Sequence, residues 1–116
     1  MTGQNPSLVI NMFRTRPGVA PELFAEFSAR VDQPTLYTHR DVVTRFDVHR
    51  VLGATESSPL DVDIVEIMEV SDWARWVEVR DHDPSLLPVT SRFDELVDPL
   101  SVRSSLVVPV LRGHQP

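Results

Sequence analysis

At 116 residues the chain has the length of one compact domain with a modest core. Hydrophobic residues make up 41 % and charged residues 24 %, and the net charge is −6. All 11 basic residues are arginine and none form a stripe that could neutralise phosphates, which argues against a nucleic-acid partner. Cysteine is absent, so disulfides, thiolate nucleophiles and Cys-ligated metal centres are excluded.

The opening MTGQNPS lacks the charged-then-apolar pattern of a secretory leader. No apolar run approaches the ~18 residues of a membrane span, so no membrane role is expected and the expected location is the cytoplasm. Residues 1–116 are read as a single domain, with 1–6 and 111–116 as flexible tails.

Leu8–Arg14, LVINMFR, predicts a first strand, and Pro17-Gly18 a turn after it. Pro21 and Glu22 fit the first turn of a helix. Leu23, Phe24, Phe27 and Val31 recur at helical spacing, which predicts a helix over 21–32 that ends before Pro34. Val42–Leu52 alternates apolar and polar residues, as a strand with two unlike faces does. Gly53–Leu60 is a loop of turn formers. Val62–Val70 is a strand with apolar residues on both faces, so both need cover.

Ser71 or Asp72 can cap the next helix, which carries Trp73, Trp76 and Val77. Asp83-Pro84 reads as a second cap and first-turn proline, followed by a helical run to about Val97. Val102–Val110 is the last strand, with Pro109 suited to an edge or an end. The order is β-α-β-β-α-β with the second helix split, an α+β, ferredoxin-like arrangement. Helices on one face leave the other to be covered by a second sheet in a dimer. The space between sheet and helices is a natural small-molecule pocket.

Polar residues inside otherwise apolar strands are few. They are Asn11 in the first, Arg45, Asp47, His49 and Arg50 in the second, and Glu66 and Glu69 in the third. A buried charge must be paired or hydrogen-bonded, so these face water or form a network. His49 is either a satisfied or part-exposed strand residue or a general acid or base. His39, at the mouth of the second strand, is either a solvated loop residue or a proton carrier. His82 is explained by its helix end, and His114 falls in the C-terminal tail. No HxH or HExxH spacing supports a metal site, no G-x-S-x-G elbow a serine hydrolase, and no glycine cluster a phosphate loop. Trp73 and Trp76, three apart, read as packing anchors rather than a ligand cage.

Taken in order, RPGVAPELFAEF, VDQPT, FDVHRV and DIVEIMEVSDWARW resemble the RedY-like (HapK-like) family, from about Leu8 to Val97. The resemblance implies a dimeric α-β barrel from bacterial secondary metabolism, of the kind associated with prodiginine and bisindole alkaloids. It implies catalysis without a cofactor on a small aromatic substrate, a reactive pyrrole or indole intermediate, in cyclisation or elimination. In that reading Asp32, His39 and His49 are the catalytic candidates. Asn11, Thr35, Leu36, Tyr37, Arg50 and Glu66 are the substrate-binding ones. Leu36 stands where relatives often carry cysteine, and Asn11 where they often carry histidine. The partner is then either a second copy or a related RedY-like chain. The alternatives are a non-catalytic binding subunit of such a heterodimer and a cofactorless barrel monooxygenase acting on an aromatic polyketide.

Overall fold

Alternating burial along β1 (Ser7–Phe13) turns Val9, Asn11 and Phe13 to one side of a sheet and Leu8, Ile10 and Met12 to the other. The structure is a computed structural model that describes residues 7–56 and 60–110. Both terminal tails and His114, and part of the Gly53–Leu60 loop, lie outside the described residues.

Four antiparallel strands pair in the order β2-β3-β1-β4, with β2 at Val43–Arg50, β3 at Ile64–Val70 and β4 at Arg103–Val107. This is the predicted split arrangement, with β1 and β3 central. β2, β3 and β4 fall inside their sequence-based ranges, trimmed at the ends, and β1 is shifted one residue toward the N-terminus. On β3 the alternation is strict: Ile64, Glu66, Met68 and Val70 are buried, and Val65, Ile67 and Glu69 are half-buried on the opposite face. A bulge at Thr44 lets Val43 and Phe46, three residues apart, face the same way, opposite Val70 and Met68.

The first helical segment departs from expectation. α1 (Pro21–Phe27) runs into a π-helical turn, Ser28–Asp32, and then into α2 (Gln33–Tyr37), so Pro34 sits inside the helical stretch instead of ending it. The reason is local. Proline lacks an N–H and its ring crowds the carbonyl four residues back. The wider turn, closed by the Gln33 N–H on the Ser28 carbonyl, gives the chain the room it needs. Asp32, the last residue of this turn, is buried.

The second helix is split as predicted. α3 (Trp73–His82) is capped by the Asp72 carboxylate, which accepts from the Ala74 N–H at 3.2 Å. A 3₁₀ turn, Pro84–Leu86, is capped by Asp83 and leads into α4 (Leu87–Leu96). Four phenylalanines join the layers: Phe13 meets Phe24 and Phe93 edge to face, each at 5.1 Å between centroids, and Phe24 meets Phe27 at 5.6 Å. Each such pair contributes roughly 0.5–1.5 kcal/mol beyond the area it buries. Among the described residues no helix is long and apolar enough to cross a membrane.

Candidate functional site

The aromatic cluster closes one end of the space between sheet and helices, and the rest of that space is open. A cavity of about 340 Å³ lies between the inner face of the sheet and the helices above it, within the size range of small-molecule sites. Its floor includes Val9, Asn11, Phe46, Glu66, Met68 and Ser104. Its roof includes Asp32, Leu36, Trp73, Trp76, Arg80, Val89 and Phe93. Most of these side chains are apolar or aromatic, and the polar ones converge.

The convergence follows from register. Asn11 lies opposite Glu66 on β3 and opposite Ser104 on β4, all on the inner face. Ser104 Oγ donates to Asn11 Oδ1 at 2.7 Å, and Asn11 Nδ2 donates to Glu66 Oε1 at 3.3 Å. Asp32 comes down from the π turn onto the same region. Both carboxyls are 4 % exposed. Among the described residues, neither has an arginine or histidine as salt-bridge partner.

Burial therefore governs their protonation. It pushes Asp32 up to about 7, against which the Ser28 hydroxyl hydrogen bond works only partly. It pushes Glu66 up to about 8, with the neighbouring Asp32 charge adding to the rise and the Asn11 amide opposing it. With Asp32 raised to about 7 and Glu66 to about 8, the two carboxyls hold protons near neutral pH that they can give or take back.

Of the nine candidate residues named from the sequence, the fold brings Asp32, Asn11, Leu36 and Glu66 to the cavity wall. The other five lie elsewhere. His49 is exposed on the outer face of the sheet, opposite Val65, because strand parity puts it on the far side from Phe46 and Val48. His39 Nε2 pairs with Ser85 Oγ at 2.8 Å, which ties the end of α2 to the junction of α3 and α4. Arg50 faces the helix side and forms an ion pair with Glu22 at 3.2 Å. Tyr37 is exposed, with the Arg40 guanidinium 5.5 Å from its ring centre. The Thr35 carbonyl accepts the Thr38 hydroxyl at 2.6 Å, outside the cavity.

Ser104, Arg80, Thr90 and Asp94 also line the cavity and were not singled out from the sequence. The parity of Val102, Ser104 and Leu106 was the available signal for the first. Trp76 is a packing anchor, 6 % exposed, and a cavity wall at once; Trp73 is half-buried beside it. Among the described residues no three His, Asp or Glu side chains gather in a way that could hold a metal ion.

An antiparallel four-stranded sheet with helices on one face, enclosing a ligand-sized cavity, is the architecture of the dimeric α-β barrel class. HapK from Hahella chejuensis shares it with a TM-score of 0.69 at 19 % identity, over 95 % of this chain and 98 % of that one. SnoaB, a cofactor-independent oxygenase from Streptomyces nogalater, gives 0.68 at 16 % identity, over 96 % and 99 %. A hydroxynitrile lyase from Passiflora edulis gives 0.70 at 12 % identity, over 94 % and 99 %. At these identities the likeness is one of fold. The chain belongs to the REDY-like protein HapK family, whose sequence model matches residues 7–107. No curated protein matches it significantly.

Proposed function

We propose that this chain is a cofactor-independent enzyme, or the subunit of one, that binds a planar indole or pyrrole intermediate. It guides that intermediate through a cyclisation or elimination in the cytoplasmic biosynthesis of a bisindole or prodiginine-type alkaloid. The observation that carries the reading is the buried Asp32–Glu66 pair facing a cavity walled by Trp73, Trp76, Phe46 and Phe93. A flat ring fits such walls, and two carboxyls that titrate near neutral pH can protonate one ring position and deprotonate another. Water exclusion and fixed geometry supply the rest for an unstable substrate. Proton transfer, first assigned to His39 or His49, moves in this reading to the carboxyls, with Asp32 also orienting a substrate N–H.

The functional unit in this reading is a dimer, formed with a second copy or a related chain. Its interface is the outer sheet face, where Leu8, Ile10, Met12, Val65 and Ile67 form a half-buried apolar centre edged by Arg45, Asp47, His49 and Arg103. An apolar centre with a polar rim is the anatomy of a protein interface.

The test supplies the purified chain with an indole-derived imine, generated in situ by a tryptophan-oxidising enzyme. It measures cyclised against spontaneous products for wild type, Asp32→Asn and Glu66→Gln. Loss of the enzymic product ratio in both variants is the expected result. Unchanged ratios in both overturn the assignment. Binding without turnover by the wild type identifies a non-catalytic subunit, and turnover that stops without dioxygen identifies an oxygenase.

A further inference from the structure

The charges facing the cavity do not balance. Asp32 from the π turn, Glu66 from β3 and the exposed Asp94 from α4 line it together with Arg80 from α3, while β1, β2 and β4 contribute only uncharged side chains such as Asn11, Phe46 and Ser104. The Arg80 guanidinium is already engaged: its Nε and Nη2 bind the Asp81 carboxylate at 2.8 and 3.2 Å. Asp32 and Glu66, each 4 % exposed, thus look onto an aromatic cavity with no cation paired to either among the described residues. A buried carboxylate needs a counter-charge or a proton.

We propose that the ligand brings the missing charge. It is a planar aromatic carrying an ammonium, iminium or protonated heterocyclic nitrogen, seated with its cation against Asp32 and Glu66 and its ring against Trp73 and Trp76. The proposal rests on reading this cavity as the binding site and names the charge state of what enters it. Two features favour a cation over a neutral N–H donor. Charge-assisted hydrogen bonds to a carboxylate are about twice as strong as neutral ones, and more so away from water. The faces of tryptophan are the best aromatic surface for a cation, and two tryptophans line this wall. A cation entering here displaces a proton from the carboxyl pair, so binding tightens as pH rises while the ligand itself stays charged.

Isothermal titration calorimetry on the full chain tests this with three probes that share one ring system: tryptamine, neutral 3-methylindole and anionic indole-3-acetate. Tryptamine is expected to bind at least tenfold more tightly than either of the others at pH 8. Its affinity is expected to rise at least tenfold from pH 6 to pH 8.5, below the ordinary amine value of about 10. Repeated in buffers of different ionisation heat, the titration is expected to show proton release. The double variant D32N/E66Q is expected to bind tryptamine and 3-methylindole alike.

If 3-methylindole binds as tightly as tryptamine in the wild type, or if the preference survives in D32N/E66Q, the proposal is overturned. The aromatic cavity and its catalytic pair would then still stand on the product-ratio assay. Absence of binding by all three probes overturns it too, and leaves that assay to decide the catalytic reading by itself.

Discussion

Asn11 on β1 sits directly across from Glu66 on β3, and its side-chain amide donates to Glu66 Oε1 at 3.3 Å while accepting the Ser104 hydroxyl at 2.7 Å. One uncharged residue thus links three strands and holds down the proton affinity of a buried carboxyl of the cavity.

Replacing Asn11 by leucine removes that opposing influence. The Glu66 titration moves above about 8, because burial and the Asp32 charge then act with less resistance. Carbon-13 NMR of the side-chain carboxyl follows it directly. Stability changes by only about 1 kcal/mol, the net worth of an ordinary hydrogen bond. A Glu66 titration that stays put or moves down in Asn11→Leu refutes the role given to the amide.

The carboxyl pair also fixes the sign of a stability change with pH. In the folded chain Asp32 and Glu66 titrate at about 7 and about 8, raised from 3.8 and 4.5. Between those limits the folded chain holds more protons than the unfolded one, so stability falls as pH rises. Well below 3.8 both states are protonated and the pair costs nothing; well above about 8 both groups are buried and ionised and the cost is complete. Urea midpoints at pH 5.5 and 8.5 are expected to show the decline, and D32N/E66Q to flatten it. A variant that declines as steeply as the wild type places the effect elsewhere.

The two tryptophans separate packing from binding. Trp76→Ala empties a buried site and costs roughly 3–5 kcal/mol. Trp73 is half-buried, and Trp73→Leu costs about 1 kcal/mol while weakening tryptamine binding several-fold. Thermal unfolding and calorimetry on the two variants check the pair of outcomes, which are expected to differ in opposite senses for stability and for affinity per unit of stability lost.

On the outer face Ile67 lies between Ile10 on β1 and Asp47 on β2. Ile67→Asp puts a charge at the centre of the proposed interface without touching the cavity face. Sedimentation velocity is expected to show the wild type as a dimer and the variant as a monomer with native circular dichroism. A dimer that persists in Ile67→Asp assigns the contact to another surface.

Local patterning was enough for the element order. Short apolar runs bounded by turn formers gave the strands, with period-two alternation in the second, helical spacing gave the helices, and Ser71 or Asp72 and then Asp83 marked the two starts of the split helix, because these signals are set by neighbours along the chain. The same patterning, joined to the rule that buried charges need partners, picked out Asn11 and Glu66 among the polar residues of otherwise apolar strands, while Asp32 entered through the family resemblance carried by VDQPT.

What it did not reach depends on partners distant in sequence. That Asn11 meets Glu66 and Ser104 is a matter of strand register, and that Asp32 reaches the same cavity is a matter of how the helical segment packs over the sheet. Histidine drew attention because it titrates near neutral pH wherever it stands; a carboxyl reaches that range only when water is removed from around it. The sequence alone determined which residues were candidates for chemistry, since residue type and spacing are local. Only the tertiary structure decided which of them share one cavity, since burial and register belong to the folded chain as a whole.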